Sequence, residues 1–220
     1  MTTPTQNTRA PRPLDGITVI SLEHAIAAPF CTRQLADMGA RVIKIERPGG
    51  GDFARHYDER VNGLSSHFVW TNRSKESLTL NLKEEGAIDV MARLLETADV
   101  LVQNLAPGAA ARLGLDFDQL HERFPRLIVC DISGYGSDGP YHEKKAYDLL
   151  IQGEVGLVSI TGTEDTPVGP VPALIPPCSL DGVEPRMDPI PSLGEHTDKV
   201  LAELGYDNEE IRQLREDSIL

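Results

Sequence analysis

Short apolar segments rich in β-branched residues alternate with segments of helical periodicity along most of this chain. The strand-like segments, each bounded by turn-forming residues, occupy residues 17–22, 41–46, 77–82, 100–102 and 127–132. The helical ones occupy residues 28–38, 84–97, 116–124 and 146–157. A helix between two strands returns the chain to the same edge of a sheet, so this alternation predicts parallel strands. We therefore predict an α/β fold, with an open, mostly parallel Rossmann-like sheet and flanking helices.

The pattern changes after residue 168. Eight prolines fall between residues 162 and 191, which is unusual inside a compact domain and indicates a join between two segments. Two helical segments then follow, at 195–204 and 207–216. We expect a disordered tail at 1–13, the α/β part at 14–168, a Pro-rich join at 169–193, and C-terminal helices at 194–220 that pack back on the same domain.

Composition narrows the classes of partner. The net charge is −13, which disfavours nucleic acid and anionic membrane surfaces. No apolar run reaches the roughly 20 residues that a membrane span needs. Cys31, Cys130 and Cys178 are far apart and form no CxxC pair, so we expect reduced thiols of a cytoplasmic protein, with neither a disulfide framework nor a metal site.

Small residues and cations follow the predicted strands. Ligands of open parallel sheets bind beyond the carboxyl ends of the strands, and Arg47, Lys83, Arg112 and Lys145 come after four of them. Cations and backbone amides in such loops suit a phosphorylated cofactor. Surface lysines and arginines are usually just solvated and glycines after strands are usually just turns, so pattern alone leaves both interpretations open. Gly-rich dinucleotide and P-loop motifs are absent, and so is the serine-hydrolase motif GxSxG.

His24 directly follows the first strand. A histidine there is compatible with a capping or packing role and with a base. Cys31, near the start of the next helix, and Asp148 are the other side chains that could be recruited as nucleophiles.

A series of short sequence motifs, in a fixed order along the chain, resembles the class III CoA-transferases, the formyl-CoA, carnitine and succinyl-CoA transferase family. They are LDGITV at 14–19, HAIAAP at 24–29, MGARVIKIERPG at 38–49, NRSKESLTLNLK at 72–83, ADVLVQN at 98–104, GYG at 134–136, AYD at 146–148 and PSLGEHTDKVL at 191–201. The resemblance implies coenzyme A, as acyl-CoA, for the substrate, with a small carboxylic acid as the other partner and no metal. It also implies a homodimeric family, although it leaves the state of this chain open.

Cofactor contacts are implied by position within the resemblance. Ile26 and Ala27 would face the thioester end, and Ile26 stands where the family often has Gln. Arg47 would contact the adenine or phosphate side. The remaining implied contacts are Leu80, Asn81, Leu82, Lys83, Asn104, Leu105, Ala106, Arg112, Lys145, Ala146, Tyr147 and Asp148.

The resemblance also implies a nucleophilic aspartate, on a segment that follows the turn GTEDTPV at 162–168. In this chain, the turn is followed directly by a sequence typical of the family's C-terminal segment. We therefore expect the aspartate and the family's smaller domain to be missing, and we assign no catalytic residue. The alternatives are a CoA-transferase-like protein, a catalytically inactive CoA-binding or dimerising fragment, and a CoA-ester racemase. The racemase would need His before Asp148, where Tyr147 stands.

Overall fold

A computed structural model describes residues 11–154 and 192–220 of the chain. The turn at 162–168, most of the Pro-rich join, Cys178 and nearly all of the expected N-terminal tail lie outside these residues. The described part contains a five-stranded sheet of order β3-β2-β1-β4-β5, in which every neighbouring pair is parallel. The strands are β1 Thr18–Leu22, β2 Arg41–Glu46, β3 Lys75–Thr79, β4 Val100–Gln103 and β5 Ile128–Asp131. The predicted fold class is confirmed.

Helices connect the strands and cover both faces of the sheet. They are α1 Ala27–Asp37, a 3-10 helix at Phe53–His56, α2 Ser66–Asn72, α3 Glu85–Thr97, α4 Ala109–Arg112, α5 Phe117–Arg123, α6 Asp148–Glu154, α7 Thr197–Glu203 and α8 Asn208–Glu216. Within the described residues, no helix has the length and apolar character that a bilayer crossing would need.

The two faces of the sheet differ in chemistry. Ile20, Leu22 and Ile43 point to one face, where they join a large apolar core with residues of α3, α5, α7 and α8. Val19 and Val42 point to the other face, beneath α1, where the apolar cluster is much smaller. Polar side chains fill the remainder of that second face, and they are also buried.

Gly39 ends α1 and turns the chain into β2. Its φ of +110° lies in the region that favours glycine, and its N–H donates to the carbonyl of Ala36. A side chain here would place its Cβ 2.6 Å from Asp15 Oδ1. Any residue other than glycine at position 39 would therefore require its neighbours to shift.

The C-terminal segment covers the outer edge of β3. The N–H of His196 donates to the carbonyl of Ser77 at 3.0 Å, and the N–H of Thr79 donates to Thr197 Oγ1 at 3.1 Å. Val200 and Leu201 enter the larger apolar core. An otherwise unpaired strand edge is thereby protected, as soluble sheets require.

Two sequence-based predictions need correction here. The stretch 53–72 was expected to be irregular, but it contains the 3-10 helix and α2, whose first turns are capped by the side chains of Asp52 and Ser65. The third strand was expected at 77–82 and lies at Lys75–Thr79. Its register explains the shift, because Val42 to Glu46 of β2 pair with Lys75 to Thr79. The strand begins with the charged residue Lys75, so the apolar pattern of the sequence did not indicate where it starts.

Leu201→Ala should lower the free energy of unfolding by about 2–5 kcal/mol, because it leaves a cavity in the core beneath α7. The matched control is Leu150→Ala, at a leucine that is 55% exposed, which should change it by less than about 0.5 kcal/mol. Urea unfolding should be followed by circular dichroism and by fluorescence of Trp70, the single tryptophan, on the opposite face. If the two signals shifted unequally, α7 would not belong to the same cooperative unit.

Candidate functional site

All five strands end at one edge of the sheet, because all are parallel. The loops after them carry the residues that the sequence singled out. Ile26 caps α1 after β1, Arg47 follows β2, and Lys83 lies in the loop after β3. Asn104 directly follows β4, and Tyr147 precedes α6 in the passage after β5. Such an edge is where open α/β sheets bind their ligands.

The loop after β1 has an unusual backbone. Ala25 has a φ of +62°, which is left-handed and disfavoured for a residue with a side chain. Its N–H donates to Asp52 Oδ1 at 3.1 Å. Asn104 holds the preceding residue, since Oδ1 accepts from the N–H of His24 at 2.8 Å and Nδ2 donates to its carbonyl at 2.9 Å. The loop is thus fixed by side chains from the loop after β2 and from the end of β4.

A buried ion cluster lies directly beneath this loop. Lys75 Nζ donates to Glu23 Oε1 at 2.6 Å, and Lys44 Nζ lies 3.3 Å from the same oxygen. Lys44 also donates to Asp52 Oδ2 at 2.9 Å, and Thr32 Oγ1 donates to Glu23 Oε2 at 2.6 Å. The side chains of both lysines and both carboxylates are fully buried. We call Glu23, Lys44, Asp52 and Lys75 the buried ion cluster.

Sharing of charges within the cluster sets the pKa values. Burial would raise the pKa of Glu23, but Lys75 and Lys44 together outweigh it and lower that pKa to about 2. At Lys75, burial prevails over attraction by Glu23 and, with repulsion from Lys44, lowers the pKa to about 8. Burial would also lower the pKa of Lys44, but three carboxylates, led by Glu23, raise it. One carboxylate accepts from two ammonium groups, so attraction from both lysines acts on Glu23 and lowers its pKa despite burial.

Glu46 fixes the loop after β2. Its Oε1 accepts from the N–H of Asp52 and from Arg55 Nε, each at 2.9 Å. Its Oε2 accepts from Ser77 Oγ and from Arg55, each at 2.6 Å. Arg47 lies across the same loop, with Nε donating to the carbonyl of Gly51 at 3.0 Å. The backbone that carries Arg47 is therefore held rigidly.

Four exposed cations at the edge have no carboxylate partner among the residues that the structure describes. Arg47, Lys83, Arg112 and Lys145 form no ion pair within residues 11–154 and 192–220, and all four are exposed. Their neighbour Lys144 differs, because it pairs with Glu154 and lies over the ring of Tyr135. Among the described residues, no group of side chains could hold a metal ion.

Comparisons with known proteins show which family shares these features. The family model described as CoA-transferase family III matches residues 14–187. An acetyl-CoA:oxalate CoA-transferase from Acetobacter aceti is 44% identical over 155 residues, which are 70% of this chain and 40% of that protein. A succinyl-CoA:glutarate CoA-transferase from Mus musculus is 38% identical over 161 residues, covering 72% of this chain and 37% of that protein.

This chain belongs to CoA-transferase family III. Solved structures agree: a CAIB/BAIF family protein from Brucella suis superposes with a TM-score of 0.65 at 36% identity, covering 71% of this chain and 43% of that one. A hypothetical protein from Mycobacterium tuberculosis gives a TM-score of 0.63 at 37% identity, covering 70% and 42%. The chain therefore spans about two fifths of the length of the relatives it matches.

The family resemblance implied contacts that the structure places in different environments. Leu80 is only 2% exposed and belongs to the apolar core, so it can offer a ligand little beyond its backbone. The side chain of Asn104 is already engaged with His24. Asn81 donates its backbone N–H to the carbonyl of Ile219 at 2.6 Å. Ala27, Ala106, Lys145, Tyr147 and Asp148 are exposed, whereas Ile26, Leu82, Leu105 and Ala146 are half-buried.

Aromatic side chains extend from the loop after β1, which the sequence alone did not reveal. The ring of His24 stacks on Phe53 with centroids 5.3 Å apart, and Phe53 lies 5.8 Å from Tyr57. Burial, Asp52 and Tyr147 raise the pKa of Tyr57, so Tyr147 from the passage after β5 lies within electrostatic reach. Burial lowers the pKa of His24, helped by Lys44 and Arg47 and opposed by Asp52. The imidazole is therefore predominantly neutral near neutral pH.

Neither alternative nucleophile is favoured by its surroundings. Burial raises the pKa of the Cys31 thiol, and the nearby Cys130 and Glu23 raise it further, so the reactive thiolate is disfavoured. Cys31 and Cys130 are both free thiols. Asp148 is exposed at the first turn of α6, where its Oδ2 accepts from Gln152 Nε2 at 2.6 Å.

The lowered pKa of Glu23 gives its contribution to stability a defined pH range. That contribution is complete above the usual value of 4.5 and is lost as pH falls toward about 2. Unfolding free energies of the unmodified chain and Glu23→Gln should therefore differ most above about pH 5. The difference should shrink by about 2 kcal/mol between about pH 6 and about pH 3. Leu201→Ala removes no titratable group, so its deficit should not follow pH, and a Glu23→Gln deficit equally indifferent to pH would contradict the assignment.

Proposed function

We propose that this chain binds a coenzyme A ester along the carboxyl edge of its sheet. The observation that carries the proposal is the set of four exposed cations, in loops that follow β2, β3, β4 and β5, that have no carboxylate partner in the described part of the chain. The chain as a whole has a net charge of −13, so these four cations make the edge locally positive on an otherwise negative protein. Coenzyme A carries a diphosphate and a further phosphate, which Arg and Lys bind through charge-assisted hydrogen bonds.

We place the thioester end of the ligand at the loop after β1. Ala27 is exposed at the first turn of α1, and Ile26 precedes it. Backbone N–H groups at the start of a helix favour a developing negative charge, as at a thioester oxygen. Ile26 cannot supply the amide contact that Gln would, so orientation there depends on the backbone. The nucleotide end lies toward Arg47, Lys83 and Arg112.

The acyl partner we propose is a small carboxylic acid. The relatives from Acetobacter aceti and Mus musculus are named for transfer of CoA to oxalate and glutarate, which supports this class of substrate. In the reaction of such a family, an aspartate carboxylate would attack the thioester carbon and expel CoA thiolate, which then opens the resulting anhydride. The chain's edge would hold and orient the CoA ester for that step.

We assign no catalytic residue, and we propose that this chain by itself binds without turning over. After the turn at 162–168, the sequence continues with the motifs typical of the family's C-terminal segment, without the segment that would carry the aspartate. We place the protein in the cytoplasm, which its free thiols favour, and we leave its oligomeric state to measurement.

Acetyl-CoA binding should be measurable by calorimetry, and Arg47→Ala should weaken it by about 1.5–3 kcal/mol through loss of a charge-assisted phosphate contact. The matched control is Arg126→Ala, which removes an exposed arginine before β5, at the opposite edge of the sheet. It should leave the dissociation constant within about twofold. Raising the salt concentration should weaken binding to the unmodified chain more than to Arg47→Ala. Absence of binding at millimolar acetyl-CoA, or equal effects of both variants, would refute the proposal.

Incubation with succinyl-CoA and a panel of carboxylates should yield neither new acyl-CoA nor an enzyme-bound CoA adduct by mass spectrometry. The covalent route requires a carboxylate at the thioester carbon, and the exposed Asp148, one of the implied cofactor contacts, is the acid that could be recruited for it. Turnover that disappears in Asp148→Asn or Cys31→Ala would identify a nucleophile in this chain. Turnover that survives both would show a different chemistry.

A further inference from the structure

The left-handed turn at Ala25 is held in place from outside its own loop. Its φ of +62° is a conformation that alanine adopts rarely, because the Cβ approaches the following carbonyl oxygen. The turn lies between His24 and Ile26, immediately before the exposed start of α1. A turn of this kind persists only where surrounding contacts determine it.

Asp52 supplies the direct hold on that turn. Its Oδ1 accepts from the N–H of Ala25 at 3.1 Å and from the N–H of Ala54 at 2.9 Å, while its Oδ2 accepts from Lys44 Nζ at 2.9 Å. The side chain is fully buried, so it cannot touch a ligand itself. Lys44 in turn is tied to Glu23, which directly precedes His24. The carboxylate is therefore fixed from three sides, and it transmits its position to the loop after β1.

Asn104 and Asp52 hold opposite sides of one peptide group. Asn104 donates to the carbonyl of His24, and Asp52 accepts from the N–H of Ala25, which belongs to the same planar unit. Asn104 anchors the side that faces His24, whose N–H it also binds, and Asp52 anchors the side that carries the Cα of Ala25. Of the two, Asp52 is the one that ties the turn to the loop after β2 and to the buried ion cluster.

We infer that Asp52 is a positioning residue that holds the Ala25 turn, and through it the start of α1, in the geometry that receives the thioester end of a coenzyme A ester. This inference rests on the proposed function for its ligand. Asp52 acts through the backbone of Ala25, so its loss should be repaired by a residue that adopts the left-handed turn unaided. Glycine at position 25 is such a residue.

The test combines Asp52→Ala and Ala25→Gly singly and together. Asp52→Ala should weaken acetyl-CoA binding about tenfold, Ala25→Gly alone should change it less than about twofold, and the double variant should recover most of the loss. Asp207→Ala is the matched control, because Asp207 also accepts two backbone N–H bonds, at the start of α8. It should lower stability and leave binding unchanged. A loss that Ala25→Gly does not repair, or no loss, would overturn the inference.

A readout without ligand separates this inference from the proposed function. Hydrogen exchange should accelerate in Asp52→Ala at the amide of Ala25, whose acceptor is removed, and at the amide of Phe30, which donates to the carbonyl of Ile26 at 2.7 Å at the start of α1. The rate at Phe30 should slow again in the double variant. Should the unmodified chain fail to bind acetyl-CoA, the proposed function fails, and the exchange pattern still decides whether Asp52 holds the turn. If Asp52→Ala does not fold, Asp52→Asn takes its place. Its weaker acceptor predicts about a threefold loss of binding, again repaired by Ala25→Gly, and an unrepaired or absent loss counts against the inference.

Discussion

The carboxylate of Glu23, shared by the ammonium groups of Lys44 and Lys75, connects the elements on which the candidate site depends. It lies at the carboxyl end of β1 and receives Lys44 from β2, Lys75 from β3 and Thr32 from α1. Fully buried charges are stable only when closely paired, so these elements cannot move apart without exposing an uncompensated ion. The relative positions of three strands and one helix are thereby fixed just beneath the edge that we propose binds coenzyme A.

The two faces of the sheet are stabilised by different interactions. The face under α3, α7 and α8 contains the large apolar core, which supplies most of the hydrophobic stabilisation. The face under α1 has few apolar contacts and is organised by ion pairs and hydrogen bonds instead. Those interactions are directional, and they extend through Asp52 and Asn104 to the backbone of the first loop. Packing thus stabilises the domain, while the polar face sets the geometry of the edge.

Sequence patterns predicted most elements because their signals are local. Five strand segments, the stop of α1 at Gly39 and both C-terminal helices are read from periodicity, glycine and capping residues within a few positions. The prediction was wrong for α2, which lies in a stretch expected to be irregular, and for the bounds of β3, which its pairing with β2 determines. The cations at the strand ends were also visible in the sequence. Their lack of carboxylate partners within the described ranges was not visible there, since ion pairs form between residues distant along the chain.

The sequence by itself determined the parallel α/β architecture and the edge at which the cations lie. It also determined the family, through ordered sequence motifs at the strand ends. Only the tertiary structure decided which charges are solvated and which are buried. Lys44 and Lys83 are both lysines near the end of a strand, yet Lys44 is fully buried between carboxylates and Lys83 is exposed. Glu23 meets Lys75 across 52 residues of sequence. The physical reason is that local patterns report backbone preference and apolar periodicity, whereas the environment of a charge depends on which distant groups folding brings to it.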